Sequence, residues 1–161
     1  MIYQSIVNAA IEEAKKSTCY PRIGAIIFKG KRIFSRGYND IRSSSIPMKH
    51  RHWPESLHAE QSALLKVDWN KLKGYSILVY RYSKDKVVGC AKPCPMCEKI
   101  IRHVGIKNVY YSDDDGTITH IQFGAVDETK LKQDWTIKKT VLEFEETKFL
   151  TEKAYGYNLQ V

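Results

Sequence analysis

The spacing of apolar and polar positions changes along the chain between a helical and a strand-like period. Apolar residues in segment 2–16 recur at close to the helical spacing, with charges late in the segment on the other face. Residues 22–28 form a short, nearly continuous apolar run, which is typical of a strand covered on both faces. Because a Lys-Gly-Lys turn separates this run from a second strand-like segment at 32–38, the two segments predict a β-hairpin.

Two more helices and three more strands are predicted after the hairpin. The helices cover residues 58–67 and 95–104, and the strands cover residues 75–82, 106–111 and 117–123. Strands that alternate with helices in this order predict an α/β domain of three layers.

Two segments lack a clear period. Residues 40–56 contain two prolines and no periodic signal, so we expect a loop there. Residues 127–161 are charged with scattered apolar positions, and they predict a short strand followed by a helix near residues 142–154. We therefore assign residues 1–123 to the core of the domain and residues 124–161 to an extension packed on the same single domain.

The composition fits one soluble globular domain. The 161 residues are 43% hydrophobic and 27% charged, which is ordinary for a folded chain of this length. No apolar run approaches the roughly 20 residues that span a bilayer, and the first residues lack the pattern of a signal peptide. Four cysteines, two of them in a Cys-x-x-Cys, favour metal chemistry in a reducing compartment over disulfides. The chain is therefore expected in the cytoplasm, away from membranes.

Charge is distributed unevenly along the chain. The net charge is +8, but residues 1–112 hold 20 Lys/Arg against 8 Asp/Glu, whereas residues 113–161 hold 6 against 10. A positive field raises the local concentration of anionic ligands. The basic half thus suits a phosphate-bearing partner, although a solvated basic surface explains the charge equally well.

Two short motifs carry the chemistry. The first reads His58-Ala59-Glu60, and the second, at residues 93–97, reads Pro-Cys-Pro-Met-Cys. One imidazole and the thiolates of Cys94 and Cys97 supply three ligands, which leaves the fourth tetrahedral position of Zn²⁺ open for water. The Glu60 carboxylate is not needed as a ligand and is free to move protons. This H-x-E and P-C-x-x-C arrangement is the one that a hydrolytic zinc deaminase requires.

The motifs suit this chemistry only if each one begins a helix. On a regular helix His58 and Glu60 would point about 200° apart, so they serve one site only at a helix start. Ala59 would then have a free backbone N–H for a substrate carbonyl. The proline after Cys94 is well placed as a first helical residue, and Cys94 and Cys97 project to the same side.

Three further residues are candidates for substrate binding. Asn39 ends the second predicted strand, where its short amide is within reach of a sugar or base. Arg42 and Trp53 belong to the loop before His58, in which basic groups are interleaved with aromatic and imidazole rings. That composition is typical of a groove for a nucleotide or a single strand, although a solvated loop has the same composition.

Taken together, these segments resemble the cytidine/deoxycytidylate deaminase superfamily. The likeness covers most of residues 1–123 and is carried by residues 22–27 with 37–39, 57–60, 93–97 and 105–111. It implies a cytidine deaminase-like fold, in which a five-stranded mixed sheet is flanked by helices in an α/β/α sandwich. It also allows for a homo-oligomer. One departure is the polar stretch of residues 81–92, which we expect to form a hairpin or loop beside the pocket.

The resemblance also implies roles for individual residues. His58, Cys94 and Cys97 would bind one catalytic Zn²⁺ per chain, and Glu60 would transfer protons. The expected substrate contacts are the side chain of Asn39, the backbone of Ala59, and the hairpin residues Gly24 and Ala25.

Three functions follow from this sequence. The first is hydrolytic deamination of a cytosine-type base on a free nucleotide such as dCMP, with release of ammonia. The second keeps this chemistry but acts on cytosine or adenosine in single-stranded DNA or an RNA loop, where the basic loops would hold the backbone. The third is a non-catalytic binding module that retains a zinc site, for which a non-ligand carboxylate at Glu60 has no use.

Overall fold

The computed structural model of the chain describes residues 2–40, 57–84 and 90–123. These residues form a five-stranded sheet and three α-helices. The strands are β1 (Arg22–Lys29), β2 (Arg32–Tyr38), β3 (Ser76–Tyr82), β4 (Asn108–Ser112) and β5 (Ile118–Gln122). The helices are α1 (Gln4–Lys15), α2 (Ala59–Leu65) and α3 (Pro95–His103).

The sheet is mixed, as predicted, with the strand order β2-β1-β3-β4-β5. Strands β3 and β4 are parallel, and the other three neighbouring pairs are antiparallel. Arg22 at the start of β1 pairs with Tyr82 at the end of β3, and Gly24 pairs with Tyr38 at the end of β2. The start of β1 and the ends of β2, β3 and β4 therefore share one edge of the sheet, which we call the upper edge.

The two faces of the sheet are covered by different helices, which gives the predicted three layers. Ile26 and Phe28 of β1 belong to a buried cluster with α1. Ala25 and Ile27 point the other way, into the larger cluster with α2 and α3. This alternation follows from the period of two along a strand. It explains why β1, covered on both faces, reads as a nearly continuous apolar run.

The structure confirms the predicted elements and corrects their ends. Helix α2 ends at Leu65, and a 3₁₀ turn that we did not predict follows at Trp69–Lys71. Strand β4 begins at Asn108, two residues later than expected. In the described part of the chain, no helix is both long and apolar enough to cross a membrane. The predictions for the loop before His58 and for residues 124–161 lie outside the described residues.

Gly37 allows α2 to pack against β2. A Cβ at this position would lie 2.5 Å from the Ala59 carbonyl oxygen and 2.9 Å from Cβ of Ser62. Beside it, the Ser35 hydroxyl donates to the Ala63 carbonyl over 2.7 Å. Close backbone approach at Gly37 thus sets the position of α2 and of the motif at its start.

We expect Gly37→Ala to destabilise the fold by about 1–3 kcal/mol, because the added methyl group must displace helix backbone. The shift would also weaken metal binding, since α2 begins directly after His58. Gly30→Ala is the matched control. Gly30 has a φ of 59° with nothing near its missing Cβ, so its substitution is expected to cost roughly 1 kcal/mol and leave metal affinity unchanged. Chemical denaturation and metal titration measure both effects, and a Gly37→Ala protein as stable as the parent would contradict the packing argument.

Candidate metal centre and active-site cavity

His58 stands immediately before the first turn of α2. Its φ and ψ of −70° and 151° are extended, as at a helix N-cap, and its N–H donates to Oε1 of Gln61 at 3.1 Å, as in a capping box. The preceding residue, Leu57, exchanges two backbone hydrogen bonds of 2.9 and 3.1 Å with Asp40. The start of α2 is thereby fastened to the chain leaving β2, which fixes the imidazole at the upper edge of the sheet.

The cysteine motif is held in a similar way at the start of α3. Cys94 is the N-cap residue with an extended backbone, and Pro95 is the first helical residue, as predicted. Just before it, the Ala91 N–H donates to the carbonyl of Ser112 at the end of β4 over 2.9 Å. Cys97, one turn into the helix, is buried. Strand β4 therefore positions α3 relative to the sheet.

Three ligand atoms converge between these two helix starts. Nδ1 of His58 lies 3.6 Å from Sγ of Cys97 and 4.0 Å from Sγ of Cys94, and all three atoms lie within 4.8 Å of one another. Ligands of a tetrahedral Zn²⁺, at about 2.0–2.3 Å from the metal, lie about 3.5–3.8 Å from each other. The three donors therefore fit a zinc ion with little adjustment, and they are the one group of this kind found in residues 2–40, 57–84 and 90–123.

The two thiols have unlike acidities. Hydrogen bonding from Cys97 holds the pKa of Cys94 well below its usual range, while the same bond and burial raise the pKa of Cys97. A bound cation must displace any thiol proton that remains, because the thiolate is the ligand form.

Glu60 is buried beside the ligands without being one of them. Its side chain is 4% exposed, and burial raises the pKa of its carboxyl, against the opposing influence of its own backbone N–H and of His58. A carboxyl whose pKa is shifted toward neutrality is suited to take up and release a proton. The site therefore pairs a metal-ligand cluster with a group for proton transfer.

A cavity of about 510 Å³ opens above this cluster at the upper edge. That volume is in the usual range for a small-molecule site. It is lined by Thr18, Cys19, Tyr20, Pro21, Ile23, Asn39, His58, Ala59, Glu60, Val79, Cys90, Ala91, Lys92 and Cys94. Five residues predicted from the sequence thus share one cavity: Asn39, His58, Ala59, Glu60 and Cys94.

Asn39 lines the cavity but also has a structural task. Its Oδ1 accepts from the N–H of Ile23 at 2.9 Å, and its Nδ2 donates to the carbonyl of Pro21 at 2.7 Å. These bonds fasten the end of β2 to the start of β1. Each amide atom retains the capacity for one more hydrogen bond, so its contact with substrate stays a prediction.

Two of the other predicted substrate contacts, Gly24 and Ala25, do not line the cavity. Gly24 faces α1 on the opposite side of the sheet, where a Cβ would lie 2.7 Å from the Ala14 nitrogen. Ala25 is fully buried in the core beneath α2 and α3 and does not line the cavity. Arg42 and Trp53 lie outside the described residues.

Sequence reasoning missed one wall of the cavity, which is the loop between α1 and β1 with Cys19 and Tyr20. The segment from Cys90 to Lys92 also lines the cavity, and it belongs to the stretch 81–92 that we expected beside the pocket. The strand pairing could have revealed the loop between α1 and β1, because β1 is antiparallel to both of its neighbours and therefore begins where they end. The loop before β1 therefore had to reach the edge where the motifs lie.

Comparison with known proteins agrees with this site. Residues 2–113 match the family model described as the cytidine and deoxycytidylate deaminase zinc-binding region. The chain belongs to this deaminase family. The matched residues include both helix starts and the strands that hold them.

Individual proteins also resemble the chain, at sequence identities between 20% and 32%. A structure of dCMP deaminase from the cyanophage S-TIM5 in apo form is similar with a TM-score of 0.52 and 28% identity, covering 68% of this chain and 81% of that one. The same phage enzyme in complex with dCMP and dUMP gives a TM-score of 0.45 and 20% identity, over 91% of this chain and 95% of that one. ComE operon protein 2 of Bacillus subtilis (strain 168) is 32% identical over 120 residues, which is 68% of this chain and 58% of that protein. The chain thus aligns with little more than half of the Bacillus relative.

The cluster predicts which cysteines hold metal. Cys94→Ser is expected to reduce bound zinc from about one ion per chain to near zero after dialysis, because a hydroxyl is a poor replacement for a thiolate ligand. Cys19→Ser and Cys90→Ser remove cavity thiols outside the cluster and serve as matched controls that keep the ion. Elemental analysis of the purified proteins measures the bound zinc per chain. Loss of zinc in either control would show that the substituted cysteine is also a ligand.

Proposed function

We propose that the chain is a zinc-dependent hydrolase that deaminates a cytosine-type base on a free nucleotide such as dCMP, giving uracil and ammonia. The observation that carries the proposal is the buried, non-ligand carboxylate of Glu60 beside His58, Cys94 and Cys97 at one cavity. A structural metal site has no use for such a group, whereas a hydrolytic site needs one.

In this proposal His58, Cys94 and Cys97 hold one catalytic Zn²⁺. When bound, the ion acts as a Lewis acid that makes water a nucleophile at neutral pH. Glu60 takes a proton from the attacking water and gives it to the ring nitrogen next to the reacting carbon. It then passes the second proton of the water to the exocyclic amino group, which leaves as ammonia. The base gains a carbonyl oxygen, and the carboxylate ends in its starting state.

The remaining cavity residues orient the base. Ala59 is buried in the first turn of α2, where a backbone N–H has no partner within the helix, so it suits the base carbonyl. Asn39 can use its spare hydrogen-bonding capacity on the base or the sugar. The apolar walls formed by Ile23 and Val79 limit the access of water to the reacting carbon.

The substrate class rests on charge and on the relatives. Exposed Lys92 lines the cavity, and the part of the chain up to residue 112 has a large excess of Lys and Arg. A phosphate group fits this field better than a neutral nucleoside. The cyanophage relative is a dCMP deaminase by name, which favours a deoxynucleotide monophosphate. A reducing, cytoplasmic location is part of the proposal, because thiolate ligands need protection from oxidation.

Glu60→Gln tests the proton transfer. The zinc-loaded parent is expected to release ammonia from dCMP, and Glu60→Gln to lower kcat by about 10²–10⁴-fold while it retains zinc, because an amide cannot take up the proton. Glu13→Gln is the matched control, since Glu13 is equally buried at 3% but lies in α1, where it pairs with Lys16 at 2.8 Å. That variant is expected to deaminate like the parent.

A substrate panel separates the hypotheses. We expect dCMP to be used in preference to dCTP, cytidine and free cytosine, as scored by ammonia release. No ammonia from any of the four with zinc bound would overturn the proposed reaction. Unchanged activity in Glu60→Gln would overturn the role of the carboxylate.

A further inference from the structure

Tyr20 is exposed at the mouth of the cavity. Its side chain is 86% accessible, although the residue also lines the cavity. Tyr3, at 39%, is the other large hydrophobic residue that is exposed in the described part of the chain. A ring kept in water at the entrance of a binding site, rather than packed in the core, is available to a ligand.

A cation accompanies this ring. The guanidinium carbon of Arg81 lies over the Tyr20 ring, 5.7 Å from its centroid. The backbone of Arg81 is itself fixed, because its N–H donates to the Ser112 hydroxyl at 3.0 Å. A cation over one face of an aromatic ring holds the ring in place. Because Tyr20 remains so exposed, a ring face stays open for stacking.

The Tyr20–Arg81 pair continues the wall of the cavity outward. Val79 lines the cavity, and Arg81 is two residues further along β3, so both side chains point to the same face of the sheet. Two residues of strand span about 7 Å, which places Arg81 one step beyond the enclosed space. Lys92 lies on the other wall, and Glu60 is the one carboxylate among the lining residues that the structure describes. The described part of the mouth is therefore basic and aromatic, and its one acidic group lies next to the ligand cluster.

We propose that Tyr20 and Arg81 form a second nucleotide subsite, in which the Tyr20 ring stacks on the base next to the one in the cavity. Arg81 and Lys92 bind the phosphate that joins the two units. Aromatic rings beside basic groups are the usual means of holding a single strand without reading its sequence. The chain would thus accept short single-stranded oligonucleotides as well as mononucleotides. This inference rests on the proposed function for the base in the cavity.

Binding of product oligonucleotides tests the subsite without turnover. The ligands are dUMP, a trinucleotide with a central deoxyuridine, and the same trinucleotide with abasic sugars at both flanking positions. The two trinucleotides carry the same phosphates, so their difference isolates stacking. For the zinc-loaded parent we expect the intact trinucleotide to bind about 5- to 100-fold more tightly than the abasic one at constant salt. Isothermal titration calorimetry measures the ratio of the two dissociation constants.

Three variants assign the effect to one ring. Tyr20→Ala should bring the ratio close to one, and Tyr20→Phe should restore it, because the phenyl ring still stacks. Tyr3→Ala is the matched control, since Tyr3 is also exposed and also lies beside a cation, Lys31 at 5.0 Å, on the α1 side of the molecule. This variant should keep the parent ratio.

Several results would overturn the subsite. Equal affinity of the parent for the two trinucleotides would show that base stacking does not contribute to binding. A Tyr20→Ala protein with the parent ratio would show that Tyr20 is not the stacking residue. A loss in Tyr3→Ala as large as that in Tyr20→Ala would mean that the effect is not local. If dCMP releases no ammonia while the intact trinucleotide keeps its preference through Tyr20, the subsite is supported and the mononucleotide reaction is contradicted.

Discussion

The site depends on two helices that begin at the same edge of one sheet. Helix α2 follows β2 along the chain and α3 follows β3, and the starts of these helices bring ligand atoms of His58, Cys94 and Cys97 within 4.8 Å of one another. Helix N-termini are the positive ends of helix dipoles, so two of them beside a cation repel it unless negative ligands intervene. Two thiolates supply that negative charge, and this requirement explains why cysteines rather than further histidines occupy α3. Close packing at Gly37 and the hydrogen bonds of Asn39 serve the same arrangement, because they fix β1, β2 and α2 relative to each other.

The site also separates its buried acidic group from the basic groups at the mouth of the cavity. Glu60 is held in the protein interior, where burial raises its pKa and keeps it able to exchange a proton. Arg81 and Lys92 stand at the mouth, where they can meet an anionic ligand without disturbing the reacting centre. In the proposed function, the chemistry depends on buried residues at helix starts, and the choice of substrate depends on residues at the rim.

The sequence predicted the local part of this arrangement and missed the long-range part. His58, Glu60, Cys94 and Cys97 were found because helix-start geometry depends only on neighbouring residues and their spacing. Gly24 was expected to contact the substrate, but it faces α1 on the other side of the sheet. Successive residues of a strand face opposite sides of a sheet, and the sequence does not show which side carries the site. Tyr20 was not predicted, because its place at the cavity follows from strand pairing between distant segments. The roles of Arg42, Trp53 and residues 124–161 stay predictions.

The central claim is that one histidine and two cysteines, and no more, hold a catalytic zinc ion. X-ray absorption at the zinc edge of the full-length protein tests it most directly. We predict two sulfur atoms at about 2.3 Å and two nitrogen or oxygen atoms at about 2.0–2.1 Å, the second of these being solvent. Cys19 and Cys90 line the same cavity, so the chain contains enough thiols for a closed structural site. A shell of four sulfur atoms would contradict the account, because such a site leaves no position for water.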